Sequence, residues 1–112
     1  MTDSYKVEYS VDALDDLREI YYYIANKLLV PETAVAQVGR IRKKVRSLNL
    51  MPNRYTLVEW EPWNSMKMHK LPVDNFIVYY LTDDEQKMVT VVRVFYGGRD
   101  IEGTVNSEKQ TF

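Results

Sequence analysis

The strongest constraint in this sequence is a change of hydrophobic period near its middle. Leu14, Leu17, Tyr21, Ile24 and Leu28 follow one another at spacings of 3, 4, 3 and 4. Ala34, Val38, Ile41, Val45 and Leu48 repeat at 4, 3, 4 and 3. Each series is one stripe of an amphipathic helix. Ser10 stands where an N-cap belongs, and Asp12, Asp15 and Asp16 load the first turns with negative charge. Pro31 ends the first helix, because the residue before a proline is pushed out of the α region, and it suits the first position of the second. Met51-Pro52-Asn53 closes that second helix. Tyr21, Tyr22 and Tyr23 run consecutively, so at ~100° per residue they cannot all share the buried stripe.

Outside the helical segments the period drops to two. Residues 5–9 alternate apolar and charged, residues 66–71 alternate as well, and residues 55–60, 76–82 and 88–96 are apolar runs with aromatic and β-branched side chains; Glu61–Ser65, Pro72 with Asp74-Asn75, and Asp83–Lys87 separate them, and Gly97-Gly98 ends the last. Consecutive strands with short connections pair antiparallel. The expected fold is α+β: an N-terminal strand, a helical hairpin, then a three- to four-stranded antiparallel sheet with the helices on one face. The opposite face is expected to lie open. Residues 1–112 read as one domain, with about 101–112 as a loose tail.

Composition removes several chemistries. There is no cysteine, which excludes disulfide scaffolds, thiolate metal sites and cysteine nucleophiles. His69 is the one histidine, so a two-histidine metal motif is impossible. No cofactor is expected. No apolar run reaches the ~20 residues of a membrane helix, so a cytoplasmic protein without a membrane partner is expected. The formal charge is −1, but residues 1–36, 37–70 and 71–112 carry balances of −4, +6 and −3. A basic block between acidic flanks can form a local positive surface without a basic pI. Arg40, Arg42, Lys43, Lys44 and Arg46 of the second helix read either as a solvated face or as a ligand site.

The residues that could carry chemistry fall late in the chain. Lys67, His69, Lys70, Arg93, Tyr96 and Arg99 sit on adjacent expected strands and their ends. Such a set can hold a phosphate: guanidinium forks for its oxygens, an ammonium as a point charge, and an imidazole or phenol to move protons. Each member also has a structural reading. Arg93, inside the apolar run Val91–Phe95, requires a partner because an unpaired buried guanidinium is very costly, and Asp100 or Glu59 would serve. No nucleophile elbow, P-loop or zinc pattern is present.

From Tyr5 to Asp100 the ordered motifs resemble the RelE/ParE superfamily of bacterial type II toxins. The resemblance is carried by Tyr5-Lys6-Val7-Glu8-Tyr9-Ser10, Ala13-Leu14-Asp15-Asp16-Leu17, Tyr23-Ile24-Ala25, Lys70-Leu71-Pro72-Val73, Asn75-Phe76-Ile77-Val78-Tyr79-Tyr80 and Val92-Arg93-Val94-Phe95-Tyr96-Gly97-Gly98-Arg99-Asp100. It implies the α+β fold above, a cognate antitoxin protein as partner, and growth inhibition when that partner is lost. RelE-like members cleave ribosome-bound mRNA, which would make this chain an mRNA interferase using Lys67, His69, Lys70, Arg93, Tyr96 and Arg99 as catalytic residues. In that alignment Lys70 matches a catalytic lysine and Arg99 the arginine after the final strand. ParE-like members instead poison DNA gyrase without cutting RNA. The sequence departs from the RelE pattern at Ile77, where an arginine is usual, and at Met68, where a second lysine is. Ribosome-dependent mRNA cleavage is the first expectation and gyrase poisoning the alternative. Neither involves a small-molecule substrate. An antitoxin segment is expected to cross the hairpin and the sheet and to bury Tyr22 and Trp60.

Overall fold

A computed structural model describes residues 4–98 and 101–109, the side chains only as far as Val105. Ser10 caps the first helix as expected: its Oγ accepts from the Ala13 N–H at 3.0 Å and donates to the Val92 carbonyl at 2.8 Å. The elements in chain order are β1 (Lys6–Tyr9), α1 (Val11–Tyr22), α2 (Pro31–Arg46), β2 (His69–Val73), β3 (Phe76–Asp83), β4 (Met88–Tyr96) and α3 (Ile101–Lys109). Where the stripe from Leu14 to Leu28 predicts one continuous helix, α1 passes into a π-helical turn, Tyr23–Lys27. Tyr22, just before this turn, and Tyr23, its first residue, are both exposed. Leu29, at φ 59°, reverses the chain before Pro31 opens α2.

The four strands form one sheet in the order β1-β4-β3-β2. β2, β3 and β4 pair antiparallel, but β1 runs parallel to β4, with Val7 opposite Val89. The sheet is therefore mixed, because the hairpin carries the chain back across one face before the later strands form. Between Tyr79 and Tyr80 the register with β4 shifts, so Tyr79 faces Arg93 while Tyr80 faces Val91, and Val92 is the extra residue of a bulge. The bulge changes parity along β4: Val91 and Val94 both join the core under the helices, with Ala13, Leu17, Ile41, Val45, Leu48 and Tyr80.

Three expectations are corrected. The stretch 55–60 is not a strand; it meets the sheet through a single bridge from Leu57 to His69, and the strand expected from residue 66 begins at His69. The second sheet face is not open. Residues 57–68 fold back over it, so that Val58, Trp63 and Met68 bury Tyr79 and Phe95 together with Ile101, and Trp60 packs alongside. The physical cause is that β3 and β4 are apolar at both parities, and a strand apolar on both sides must be covered on both. Finally, residues 101–109 of the segment expected as a loose tail form α3, the rest lying outside the described residues, and Ile101 is buried in that second cluster.

Candidate functional site

Of the six cationic and titratable residues singled out from the sequence, the five that are described do not converge on one open position. Lys67 lies in the turn before β2, exposed and at φ 62°. His69 is buried. Its ring stacks on Tyr80 at 5.0 Å, and its Nδ1 lies 2.8 Å from the Tyr55 carbonyl. A carbonyl can only accept, so Nδ1 carries the proton and His69 pins the 55–57 segment to β2. Arg99 lies outside the described residues. Tyr96 ends β4, exposed, with its ring edge-on to Phe76 at 6.0 Å.

Lys70, Tyr79 and Arg93 are opposite one another on three adjacent strands and so form a row on the face away from the hairpin. The middle of that row is filled. Trp63 lies 4.9 Å from the Tyr79 ring, and Trp60 stacks on Trp63 at 4.8 Å. Burial pushes the Tyr79 phenol up to about 12, because the phenolate would be poorly solvated there. Lys70 reaches Glu59 at 3.6 Å, a pair whose acid is almost fully exposed and therefore adds little.

Arg93 is engaged elsewhere. Its Nε donates to Asp16 Oδ2 at 2.9 Å and its Nη2 to Asp16 Oδ1 at 3.1 Å, a two-toothed grip, while its guanidinium covers the Phe95 ring at 4.4 Å. Asp16 Oδ2 also accepts the Val94 N–H at 2.9 Å. β1 has ended at Tyr9, opposite Val91, so the next stretch of β4 has no strand beside it; the Asp16 carboxylate takes the place of a strand carbonyl there. The described partner of Arg93 is thus Asp16 and not Glu59, while Asp100 lies outside the described residues. Helical position gave no hint of it, since the pairing joins residues 77 apart.

A concavity lies on the other side of this joint. A groove of about 630 Å³ runs between α1, its π-helical turn, the start of α2 and the β2–β3 turn. Ile20, Ile24, Leu28, Phe76 and Val94 supply apolar surface, while Tyr23, Tyr96 and Glu19 bring polar ends. Tyr23 is 58% exposed and Tyr96 53%. Large, half-exposed aromatics along an apolar trough suit an amphipathic peptide segment, which would bury them and satisfy their hydroxyls. The sequence signal for this groove was the run of three tyrosines, of which the stripe could bury only one. Among the described residues no cluster of His, Cys, Asp or Glu could hold a metal ion, and no helix is long and apolar enough to cross a membrane.

Comparison with known proteins agrees with this geometry. The family described as ParE toxin of type II toxin-antitoxin system, parDE, matches residues 7–101. No curated protein matches the chain. Among solved structures, the chain is similar to one of the chromosomal ParDE toxin–antitoxin system of P. aeruginosa, with a TM-score of 0.69 at 20% identity, covering 85% of this chain and 98% of that one. It is also similar to the RelBE2 toxin–antitoxin complex of Mycobacterium tuberculosis, with a TM-score of 0.58 at 19% identity over 83% and 91% of the two chains. A mutant of the E. coli toxin RelE in the free state gives a TM-score of 0.63 at 15% identity, over 97% and 99%.

Proposed function

Because the chain belongs to the ParE toxin family of type II toxin–antitoxin systems, we propose that it inhibits growth by binding, as a poison of DNA gyrase, and that it cuts no RNA. The observation that carries this reading is the filled row on the sheet. Cleavage of an RNA phosphate requires cations and a proton-transfer group aimed at a shared, open position. Here Trp63 and Tyr79 occupy the space between Lys70 and Arg93, Arg93 is bound to Asp16, and His69 is turned into the protein. A toxin that acts by occupying its target needs none of these groups free.

The same reading makes the apolar groove the seat of a cognate antitoxin. A segment that folds on binding would place apolar side chains against Ile20, Ile24 and Phe76 and close over Tyr23 and Tyr96. That the similar P. aeruginosa and M. tuberculosis proteins come from toxin–antitoxin systems supports the expectation of such a partner. Gyrase and the ribosome are both cytoplasmic, so on this reading the toxin acts in the cytoplasm.

The test is a pair of assays on the purified chain. Gyrase supercoiling should be inhibited, with trapped cleavage complexes, at concentrations that leave mRNA on translating ribosomes intact. Cut message together with untouched supercoiling would replace this reading with the nuclease one, and Lys67, His69, Lys70, Arg93, Tyr96 and Arg99 would return as the residues to mutate.

A further inference from the structure

The basic block of the sequence gathers on one surface away from the groove. Arg40, Lys43, Lys44 and Ser47 are spaced as i, i+3, i+4 and i+7, a single face of α2 and the turn that follows it. Arg54 joins them from the 3₁₀ turn after α2, and together with Pro72, Val73 and Asp74 they line a hollow of about 530 Å³. Arg42 and Arg46 point away from it on another side of the helix, Arg42 over the Tyr9 ring. α2 holds one acidic residue, Glu32, in its first turn. The helix dipole favours cations in a last turn, which accounts for some of this charge but not for its convergence with Arg54 on a hollow.

One carboxylate faces the site. Asp74 accepts from Arg40 Nε at 2.7 Å and from Gln37 Nε2 at 3.0 Å. These donors hold its carboxyl below the usual range, so it stays ionised and occupies Arg40. Among the described residues, Lys43 and Lys44 have no acidic partner.

The ligand class follows from what is present and what is hidden. The aromatic ring beside this surface is capped: Arg54, which lines the hollow, lies 5.0 Å above Tyr55. Single-stranded nucleic acid is held by bases stacked on bare aromatic rings, whereas a duplex is held through its phosphates by Lys and Arg alone. We infer that the α2 face, centred on Lys43, Lys44, Arg40 and Arg54, binds the phosphate backbone of double-stranded DNA without reading sequence. The preference for DNA over double-stranded RNA rests on the gyrase reading, since gyrase is a DNA-bound target; the preference for a duplex backbone does not.

The experiment measures anisotropy of a labelled DNA duplex titrated with the full chain over a salt series, with double-stranded RNA and a polyglutamate peptide as parallel probes. Three to four neutralised phosphates give a slope of log affinity on log salt of about −3. Lys43→Gln with Lys44→Gln should flatten that slope by about 2 and weaken binding at ~0.1 M salt roughly 60-fold. Asp74→Asn, which keeps a residue tolerant of the φ of 54° at that turn, frees Arg40 and should tighten binding up to about eightfold. Lys27→Gln, on the π-helical turn, should change nothing, and unaltered thermal midpoints would show that each variant folds. Unchanged affinity in the double lysine variant, no gain with Asp74→Asn, or equal or tighter binding of the RNA duplex or the peptide would each overturn the inference. A chain that poisons supercoiling but does not bind free duplex fails this inference alone. One that binds duplex and leaves gyrase untouched fails the functional reading alone.

Discussion

Asp16 is the residue on which the joint between hairpin and sheet depends, and its removal can be worked through in numbers. Asp16→Ala deletes three hydrogen bonds at once, two from Arg93 and one from the Val94 N–H. The side chains concerned are 9% exposed for Asp16 and 19% for Arg93, so the pair is largely but not wholly out of water. Breaking a buried pair by removing one partner costs ~3–5 kcal/mol, chiefly because the remaining charge is stranded. The partial exposure of Arg93 places this case at the lower end, about 3 kcal/mol, with the orphaned Val94 N–H included. With a urea m-value of about 1.5 kcal/mol/M for a domain of this size, the midpoint should fall by about 2 M. Asp16→Asn keeps the shape and one acceptor, and should lose about half as much. The informative measurement is the double variant Asp16→Ala with Arg93→Met. The double variant removes both ends of the pair, so its loss should fall short of the summed single losses by at least ~1.5 kcal/mol. A midpoint shift under ~0.5 M for Asp16→Ala, or simple additivity in the double variant, would refute the claim that Arg93 is a structural residue held by Asp16.

Two further outcomes test the core and the helix. Burial raises the phenol of Tyr79 to about 12 and that of Tyr80 further, Tyr80 also donating to the Pro52 carbonyl at 2.6 Å. Their contribution to stability is whole below pH ~10, where the unfolded chain is still protonated, and is lost as pH rises from there through about 12; titration of all nine tyrosines near pH ~10 with the fold intact, followed by ultraviolet difference spectra and circular dichroism, would contradict this. Gly39 lies inside α2, and a Cβ added there meets nothing within 4 Å; Gly39→Ala should therefore stabilise the chain by about 0.5–1 kcal/mol, a rise of a few degrees in the thermal midpoint, and a fall would show that the helix face is not open as described.

Much of this protein is written in local order along the chain. The 3- and 4-residue spacings, the Ser10 cap and Pro31 determined two helices because a helix is built from contacts between near neighbours, and period-two runs marked the strands from 76 and from 88 for the same reason. The ordered motifs from Tyr5 to Asp100 likewise sufficed for the family. What the tertiary structure decided involves partners far apart in sequence. The parallel seat of β1 on β4, the extra residue Val92 that changes which side of the sheet Val94 faces, and the Asp16–Arg93 grip each depend on which strand edge is left unpaired after the chain has folded. The covering of the second face was missed for a related reason: Trp60 ended a stretch that reads as a strand and Trp63 fell in the Pro-interrupted break after it, and only the apolar demand of Tyr79 and Phe95 beneath brings that segment down. Charge followed the same division. The chain alone determined that positive residues crowd its middle, but whether they met at the strands or on α2 was settled by packing, which buried His69, tied Arg93 to an acid, and left Lys43 and Lys44 in water.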